Sequence, residues 1–243
     1  MNTPFLSIVI PAHNEENRLP RTLEQVFSFL DLQEYTSEVV VVENASADHT
    51  LELAREFSKS HPSLMVIHEE NKGKGNAVRR GMLEAHGEYR FICDADLSMP
   101  IEDLSKFLPP VLNDFDIAIG SREAPGAVRY NEPPYRHIGG RVINLVIRML
   151  ILPGLNDTQC GFKCFRAETT ESIFHQQTLM GWSFDIELLY LARRNKLKID
   201  EIPIHWYFDP DSKVRAVRDA IRMIGDIFRI HRNAVTGVYD SQA

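Results

Sequence analysis

The chain has 243 residues, of which 44% are hydrophobic and 25% are charged, a composition typical of a globular protein with a sizeable core. Its 27 basic and 34 acidic residues give a net charge of −7, which argues against a general nucleic-acid-binding protein. The three cysteines, Cys93, Cys160 and Cys164, match neither a disulfide framework nor a zinc motif. Because the sequence shows no signal peptide and no apolar stretch of about 18 residues, we expect a cytoplasmic protein.

The first 120 residues alternate between apolar strands and amphipathic helices. Strands are predicted over residues 6–10, 38–42, 64–68, 88–93 and 115–119, and helices over 15–30, 48–58 and 75–85. The valine-rich second run is typical of a parallel strand that is buried on both faces. Alternation of this kind predicts an α/β fold with a mostly parallel central sheet flanked by helices.

The pattern changes after residue 120, where residues 121–135 are rich in proline, glycine and charge and predict a long loop. Further elements are predicted as a helix over 137–152, a short segment over 161–165, a helix over 184–195 and a strand over 198–206. The last element is a basic amphipathic helix over residues 214–232. Such a helix would lie on a membrane surface, on the rest of the domain or on a partner in a homodimer.

Two carboxylates follow the fourth predicted strand. Asp94 and Asp96 flank Ala95 directly after the apolar run 89–93, and ligands bind at the carboxyl ends of strands in an open α/β sheet. Carboxylates this close repel each other unless a cation lies between them, and Mg²⁺ or Mn²⁺ with a bound diphosphate suits such oxygen ligands. The pair therefore predicts an enzyme that handles a nucleoside diphosphate through a divalent metal. On the motif alone, a turn before a helix near Pro100 explains the aspartates equally well.

Polar residues also follow the first two predicted strands, at 11–15 (Pro-Ala-His-Asn-Glu) and 43–48 (Glu-Asn-Ala-Ser-Ala-Asp). In a parallel sheet these clusters meet Asp94 and Asp96 at one edge, where they can hold a ribose, a base and a diphosphate. Asn14 and Asp48 can each be a helix N-cap instead. The segment 71–75 (Asn-Lys-Gly-Lys-Gly) adds glycines that allow close backbone approach and lysines suited to phosphates, or else is an ordinary strand-to-helix connection.

These motifs resemble those of family 2 glycosyltransferases, which have the GT-A fold, a Rossmann-like α/β architecture. The resemblance lies in eight segments in family order: 8–16, 41–50, 71–77, 94–96, 119–122, 157–163, 181–189 and 211–214. The last four resemble the branch that contains dolichyl-phosphate β-glucosyltransferases and polyprenyl-phosphate mannosyltransferases. The resemblance implies an inverting, metal-dependent enzyme that transfers glucose or mannose from UDP-glucose or GDP-mannose to a polyprenyl or dolichyl phosphate.

The resemblance also implies roles for individual residues. The nucleotide sugar would contact Pro11, Ala12, Asn14, Glu15, Glu43, Asn44, Lys72, Gly73, Lys74, Asp94, Ala95 and Asp96. Asp94 and Asp96 would also reach the metal, and Arg122 and Lys213 would contact phosphates of the donor or the acceptor. We count four residues as catalytic: Asp96, Arg122, Asp185 and Lys213.

The chain departs from the family pattern at three positions. Glu43 replaces the usual aspartate, which could alter how the nucleoside is gripped. Ser98 stands where some mannosyl-transferring relatives have a glutamine that binds the metal, and it is a shorter and weaker ligand. An arginine that such relatives place shortly before the Ser-Lys pair is absent, and Tyr207 lies near that position.

The acceptor decides whether the reaction needs a base. A phosphate monoester is already an oxyanion at neutral pH and needs only cations to position it. Candidates for these cations are Arg122, Arg129, Arg136, Lys163 and Lys213. A hydroxyl acceptor would instead need a carboxylate base, either Asp185 or Glu187. Asp185 can equally be a helix N-cap or a positioning residue.

The resemblance divides the single predicted domain, 1–243, into three parts. Residues 1–120 would bind the nucleotide sugar, residues 121–213 would lie on the acceptor side, and residues 214–243 would form the C-terminal helix and tail. A lipid acceptor implies peripheral association with the cytoplasmic face of a membrane. The alternative functions are a family 2 transferase with a saccharide or small hydroxyl acceptor, and a non-catalytic nucleotide-sugar-binding module.

Overall fold

A computed structural model describes residues 3–209 and 216–240 of the chain. The strands are β1 (Leu6–Ala12), β2 (Ser37–Glu43), β3 (Leu64–His68), β4 (Tyr89–Ile92), β5 (Ile117–Ser121), β6 (Val128–Tyr130), β7 (Lys163–Arg166), β8 (Ile199–Pro203) and β9 (His205–Tyr207). The helices are α1 (Leu19–Leu30), α2 (Thr50–Ser58), α3 (Lys74–Glu84), α4 (Pro134–Leu150), α5 (Ala167–Gln176), α6 (Phe184–Arg194) and α7 (Ala216–Val235), with a 3-10 helix over Ile101–Phe107. Among the described residues, no helix is both long enough and apolar enough to cross a membrane.

Seven strands form one sheet in the order β3-β2-β1-β4-β7-β5-β8. β1, β2, β3 and β4 are parallel, and β5 is parallel to β8, whereas β7 is antiparallel to both of its neighbours. A second, two-stranded parallel sheet pairs β6 with β9. The predicted α/β class with a mostly parallel central sheet is therefore confirmed. The division into 1–120, 121–213 and 214–243 stays a prediction.

The two faces of the sheet carry separate apolar clusters, and alternation along the strands feeds both of them. On β1, Leu6, Ile8 and Ile10 point into one cluster while Val9 joins the other, as the two-residue period of a strand requires. The apolar stripe of α1 covers the first cluster, and α3 and α6 cover the second. Burial on both faces fixes the register of the central strands, because a slip of one residue would exchange the two faces.

Three elements differ from the sequence prediction. The predicted loop 121–135 contains β6, and the predicted strand 198–206 is two strands, β8 and β9, that belong to different sheets. The chain changes sheets at Ile204, which follows Pro203 and is 1% exposed; proline has no N–H to continue a ladder. Helix α5 was not predicted, because its sequence AETTESIFHQ gives only a weak apolar period.

The register places the polar strand ends at one edge. β1 pairs Ala12 with Glu43 of β2, and β2 pairs Glu43 with His68 of β3. β4 lies on the other side of β1 and ends just before Asp94. The carboxyl ends of β1, β2, β3 and β4 therefore meet along a single edge, which we call the carboxyl edge.

Candidate active site

The first charged contact at the carboxyl edge joins α3 to the segment after β4. Lys74 begins α3, and its Nζ lies 2.6 Å from Oδ1 of Asp94. Burial lowers the pKa of Lys74, but the negative charges of Asp94, Asp185 and Asp96 outweigh that effect and raise it. The lysine is therefore a cation held among three carboxylates.

Asp96 lies beside the same pair of charges. Burial, and after it the negative charge of Asp94, raise the pKa of Asp96, although Ser98 N donates a hydrogen bond of 3.0 Å to its Oδ1. A divalent cation placed next to Asp94 and Asp96 would relieve this repulsion, so the two carboxylates fit Mg²⁺ or Mn²⁺. The described residues contain no group of three or more His, Cys, Asp or Glu side chains that could hold a metal ion. Such a cation would take its other ligands from a diphosphate and water.

Each of the three polar strand ends contains a non-glycine residue in the left-handed region. Asn14 follows β1 with φ 53°, Ala45 follows β2 with φ 50°, and Leu97 follows Asp96 with φ 44°. Such residues cost about 1–3 kcal/mol each and collect at ligand sites, where the surrounding structure holds them in place. The strained backbone at all three ends supports the prediction that this edge binds a ligand.

Gly161 makes room for the Asp94 carboxylate. A Cβ atom added to Gly161 would lie 2.0 Å from Oδ2 of Asp94, which is far inside van der Waals contact. Gly161 belongs to the segment that leads into β7, and β7 pairs with β4. The antiparallel strand thus brings a glycine against the side chain that is predicted to bind the metal.

Asp185 lies in the first turn of α6 and joins the site through buried charge. Its Oδ1 is 2.7 Å from Nζ of Lys163. Burial raises the pKa of Asp185, and the positive charges of Lys163 and Lys74 oppose the rise. Lys163 is 1% exposed and also donates to the carbonyl oxygen of Cys160. Lys163 is therefore not available to an acceptor phosphate, and that prediction was wrong.

Glu187 has a structural role. The residue is fully buried, and its carboxylate accepts hydrogen bonds from Thr178 N, Thr178 Oγ1, Leu179 N and Tyr239 OH. These bonds fix the segment before α6 and attach the C-terminal end of the described chain to it. The alternative that made Glu187 a catalytic base was wrong, because the carboxylate is fully buried and is occupied by these four donors.

The segment 178–180 in turn shapes the glycine loop before α3. Cβ atoms added to Gly73 and Gly75 would lie 2.1 Å from Met180 O and 2.7 Å from Leu179 O. Gly73 also has φ +145°, a value that favours glycine. The two glycines are thus required by the protein's own backbone packing, in addition to any approach of a phosphate.

Arg122 is held by a buried aspartate. Asp157 accepts from Arg122 Nε at 2.6 Å, from Nη2 at 2.9 Å and from the backbone N at 3.0 Å. The guanidinium also lies over the ring of Trp206, 5.3 Å from its centroid. Burial would raise the pKa of Asp157, but the charge of Arg122 lowers it from 3.8 to about 2. The predicted phosphate contact of Arg122 stays a prediction, with Asp157 as the residue that would position it.

The predicted nucleoside residues line the same edge. Glu15 accepts from Arg18 Nε at 2.6 Å and from Nη2 at 2.9 Å. Asn14 Oδ1 accepts from Ala47 N, and Asn44 donates to the carbonyl oxygens of Glu69 and Asn71.

Pro11 and Ala12 end β1, and Ala95 is buried with its carbonyl oxygen bonded to Thr22. Lys72 is exposed in the loop before α3. The contacts of all these residues with a nucleotide stay predictions.

Three further cations are predicted to position the acceptor phosphate, and the structure shows protein partners for two of them. Lys213 lies outside the described residues. Arg129 pairs with Glu123 and Glu132. Arg136 lies over the ring of Phe208, 5.2 Å from its centroid.

Sequence reasoning gave no role to three residues at the carboxyl edge. Arg18 bonds Glu15 and also Asp209, 2.7 Å away, and its charge interacts with that of Asp96. Trp182 is 47% exposed, with Lys74 Nζ 5.2 Å from its ring centroid. His68 is the last residue of β3 and bonds Glu43. A polar residue at the end of a predicted strand is a sequence signal that could have identified His68. The contacts of Arg18 and Trp182 are tertiary and leave no such signal in the sequence.

We expect Asp157→Asn to lower the free energy of unfolding by about 3 kcal/mol, because it leaves the Arg122 guanidinium without its buried partner. The folded-state pKa of Asp157 is depressed, so its stabilisation is fully present above about pH 4 and is lost as the pH falls towards 2. Denaturant unfolding at several pH values checks this. A wild-type–variant difference that stays constant down to pH 2 would contradict it.

We expect Gly161→Ala to weaken the predicted Mn²⁺-dependent binding of a nucleoside diphosphate by about tenfold or more, because the new methyl group displaces the Asp94 carboxylate. Calorimetric titration with UDP and Mn²⁺ measures the effect. Gly139→Ala is the matched control, since a Cβ atom there meets nothing within 4 Å. Equal affinities for the two variants would show that the Asp94 position does not matter for binding.

Comparisons with known proteins identify the family of the chain. Residues 7–174 match the family model described as glycosyl transferase family 2. The chain is 34% identical over 251 residues to a dolichyl-phosphate beta-glucosyltransferase of Drosophila melanogaster, covering 96% of this chain and 76% of that protein. It is 31% identical over 252 residues to the Homo sapiens protein of the same name, covering 98% and 78%.

Among solved structures, the fold is similar to glucosyl-3-phosphoglycerate synthase from Mycobacterium tuberculosis in complex with UDP. The TM-score is 0.66 at 16% identity, over 93% of this chain and 80% of that one. The same enzyme in complex with Mn²⁺, UDP-glucose and phosphoglyceric acid also has a TM-score of 0.66. The family match extends over more than half of the chain, and the chain therefore belongs to glycosyl transferase family 2 and is a glycosyltransferase.

Proposed function

We propose that this glycosyltransferase transfers glucose from UDP-glucose to a dolichyl or other polyprenyl phosphate, with inversion at the anomeric carbon. The observation that carries the proposal is the charged cluster of Lys74, Asp94, Asp96 and Asp185 at the carboxyl edge. The names of the similar proteins, dolichyl-phosphate beta-glucosyltransferases, support glucose and the lipid phosphate. The solved structures with UDP-glucose and Mn²⁺ have the same fold and support the donor and the metal.

In the proposed reaction a phosphate oxygen of the acceptor attacks the anomeric carbon from the face opposite the diphosphate. A new C–O bond forms as the bond to the leaving diphosphate breaks, and the leaving group departs as UDP. Mg²⁺ or Mn²⁺ held by Asp94 and Asp96 would neutralise charge on the departing diphosphate. Lys74 adds a second positive charge at the same place and is fixed there by Asp94.

The proposed acceptor needs no base, and the surroundings of Asp185 agree with a positioning role. The Asp185 carboxylate is buried against Lys163 and lies close enough to Lys74 to raise the pKa of that lysine. It thereby helps to keep Lys74 charged and in place. A general base contributes about 10²–10⁴-fold to a rate. Replacing Asp185 would therefore lower the rate by that factor if Asp185 were the base.

A lipid acceptor requires access to a membrane, and two helices expose apolar side chains. The exposed residues include Ile138, Val142, Leu145 and Met149 on α4, and Ile221, Ile224 and Phe228 on α7. Other side chains of the helices, among them Ile147, Met223, Ile227 and Ile230, are buried in the core. α4 packs against α7, and His231 Nε2 lies 3.2 Å from Leu150 O.

The charges on these helices favour an anionic lipid surface over a second copy of the chain. α4 has three arginines and no acidic residue, and α7 has four arginines and two aspartates. Arginine around an apolar helix face suits the headgroup region of anionic membranes. We therefore propose that α4 joins the predicted C-terminal helix in peripheral binding to the cytoplasmic face of a membrane. The homodimer predicted as the alternative stays a prediction.

We expect UDP and UDP-glucose with Mn²⁺ to raise the melting temperature by about 5 °C or more at concentrations of about 100 Kd, because ligands that bind the native state stabilise it by about 2.7 kcal/mol there. GDP and GDP-mannose should give smaller shifts. The rise should disappear in Asp96→Asn. A larger shift with GDP-mannose would overturn the proposed donor.

We expect transfer of glucose to dolichyl phosphate and none to dolichol, since the alcohol lacks the reactive oxyanion. Asp185→Asn should reduce the rate of transfer by less than about 100-fold, because no base is required. A radiolabelled-glucose transfer assay measures both. Transfer to dolichol, together with a larger loss in Asp185→Asn, would favour the hydroxyl acceptor with Asp185 as its base.

We expect the protein to float with vesicles that contain phosphatidylserine and to float less with purely zwitterionic vesicles. Phe228→Glu and Met149→Glu should each reduce flotation, because each places a charge on an exposed apolar face. Leu32→Glu is the matched control, since Leu32 is 82% exposed after α1. Protein that stays at the bottom of the gradient with both vesicles would contradict membrane binding.

A further inference from the structure

Glu43 stands where the family usually has an aspartate, and its carboxylate is fully engaged within the protein. Oε1 accepts from Ser46 N at 2.5 Å, and Oε2 lies 2.5 Å from Nδ1 of His68. The residue is 1% exposed. Burial raises the pKa of Glu43, but the hydrogen bonds from Ser46 and His68 lower it below its ordinary value. The group is therefore an ionised carboxylate without an exposed oxygen to offer a nucleobase.

His68 is the partner that does reach the surface. It is the last residue of β3 and lies directly opposite Glu43 in the β2–β3 ladder. Its side chain is 39% exposed, against 1% for that of Glu43. Within the described part of the chain, Nδ1 bonds Glu43 and Nε2 has no hydrogen-bond partner. Because a carboxylate only accepts, the hydrogen lies on Nδ1, and in the neutral ring Nε2 is then an acceptor.

The position of His68 along the edge suits contact with a nucleotide. The segment after it is tied to the end of β2, because Asn44 Nδ2 donates to Glu69 O at 3.0 Å and Asn44 Oδ1 accepts from Gly73 N at 2.7 Å. This segment ends at Lys74, which lies beside Asp94. His68 and the proposed diphosphate site are therefore the two ends of one short loop, at most about 20 Å long when extended.

We propose that His68 binds the nucleobase of the donor, with Nε2 accepting the hydrogen bond of the uracil ring N–H that lies between the two carbonyl groups. Glu43 is then the positioning residue that fixes the tautomer and the orientation of the ring. The inference rests on the proposed function, which supplies the uridine donor. It gives the substitution of aspartate by glutamate a consequence, since the exposed histidine partner of Glu43, and not the buried carboxylate, presents the acceptor.

The test is calorimetric titration of the full chain with UDP and with N3-methyl-UDP, in Mn²⁺ at about pH 8, which favours the neutral form of a histidine ring. The methyl group removes the ring N–H and leaves the diphosphate unchanged. We expect the wild type to bind UDP about tenfold or more tightly than N3-methyl-UDP. His68→Phe should bind UDP about tenfold more weakly than the wild type and should bind the two nucleotides equally.

His86→Phe is the matched control. His86 is also an exposed histidine whose Nδ1 faces a glutamate, Glu38 Oε2 at 3.3 Å, but it precedes β4 at the opposite end of the sheet. The His86→Phe variant should bind both nucleotides as the wild type does. His68→Lys keeps a donor for Glu43, has no acceptor, and should also lose the discrimination, so a folding defect in His68→Phe would not leave the proposal without a test.

Two results would overturn the assignment while the proposed function stands. One is a wild type that binds UDP and N3-methyl-UDP equally, and the other is a folded His68→Lys or His68→Phe that still discriminates between them. A wild type that binds GDP but not UDP would overturn the proposed donor, and the uracil assignment with it. The three results differ in the wild-type titrations or in those of the variants. A failure of the His68 assignment is therefore distinguishable from a failure of the proposed function.

Discussion

The pairing of buried and half-buried charges at the carboxyl edge is the constraint on which the site depends. Three carboxylates there each have a cation within hydrogen-bond distance: Asp94 has Lys74, Asp185 has Lys163 and Asp157 has Arg122. Charges taken out of water are tolerated only when they are paired in this way. Asp96 has no ion-pair partner among the described residues, and burial together with Asp94 raises its pKa. An added cation is therefore most favourable next to Asp96, where the family resemblance implies the metal.

The antiparallel strand β7 is the element that assembles this pattern. It lies between β4 and β5, so the chain that precedes it runs to the carboxyl end of β4. That chain brings Gly161 against Asp94, and β7 itself begins with the buried Lys163 that holds Asp185 of α6. A parallel strand in this place would enter the sheet at the opposite end and could not deliver these residues. The single reversal in the order of strand directions thus serves the site as well as the core, to which β7 contributes Cys164 and Phe165.

Buried polar residues also fix the loops along the carboxyl edge. Asn44 joins the end of β2 to the glycine loop, and Glu187 fixes the backbone against which Gly73 and Gly75 pack. These side chains bind protein atoms, so any effect on the proposed nucleotide would be exerted through the position of the loops. The same distinction separates Glu43, which is buried, from His68, which carries an exposed ring edge. Residues that the family motifs would place near a nucleotide therefore divide into those with an exposed polar edge and those whose polar atoms bind other protein groups.

The sequence by itself determined the alternation of strands and helices, the parallel first half of the sheet and the convergence of the segments after β1, β2 and β4. These follow from local periodicity, and from the rule that parallel strands share their carboxyl ends. Only the tertiary structure decided that Lys163 and Glu187 are buried, that Gly161 touches Asp94 and that His68 bonds Glu43. Each of these contacts joins residues that no local period relates, on elements whose neighbours are set by packing. The burial of a charged side chain and the groups that it bonds decide what it can do. The spacing of a motif encodes neither.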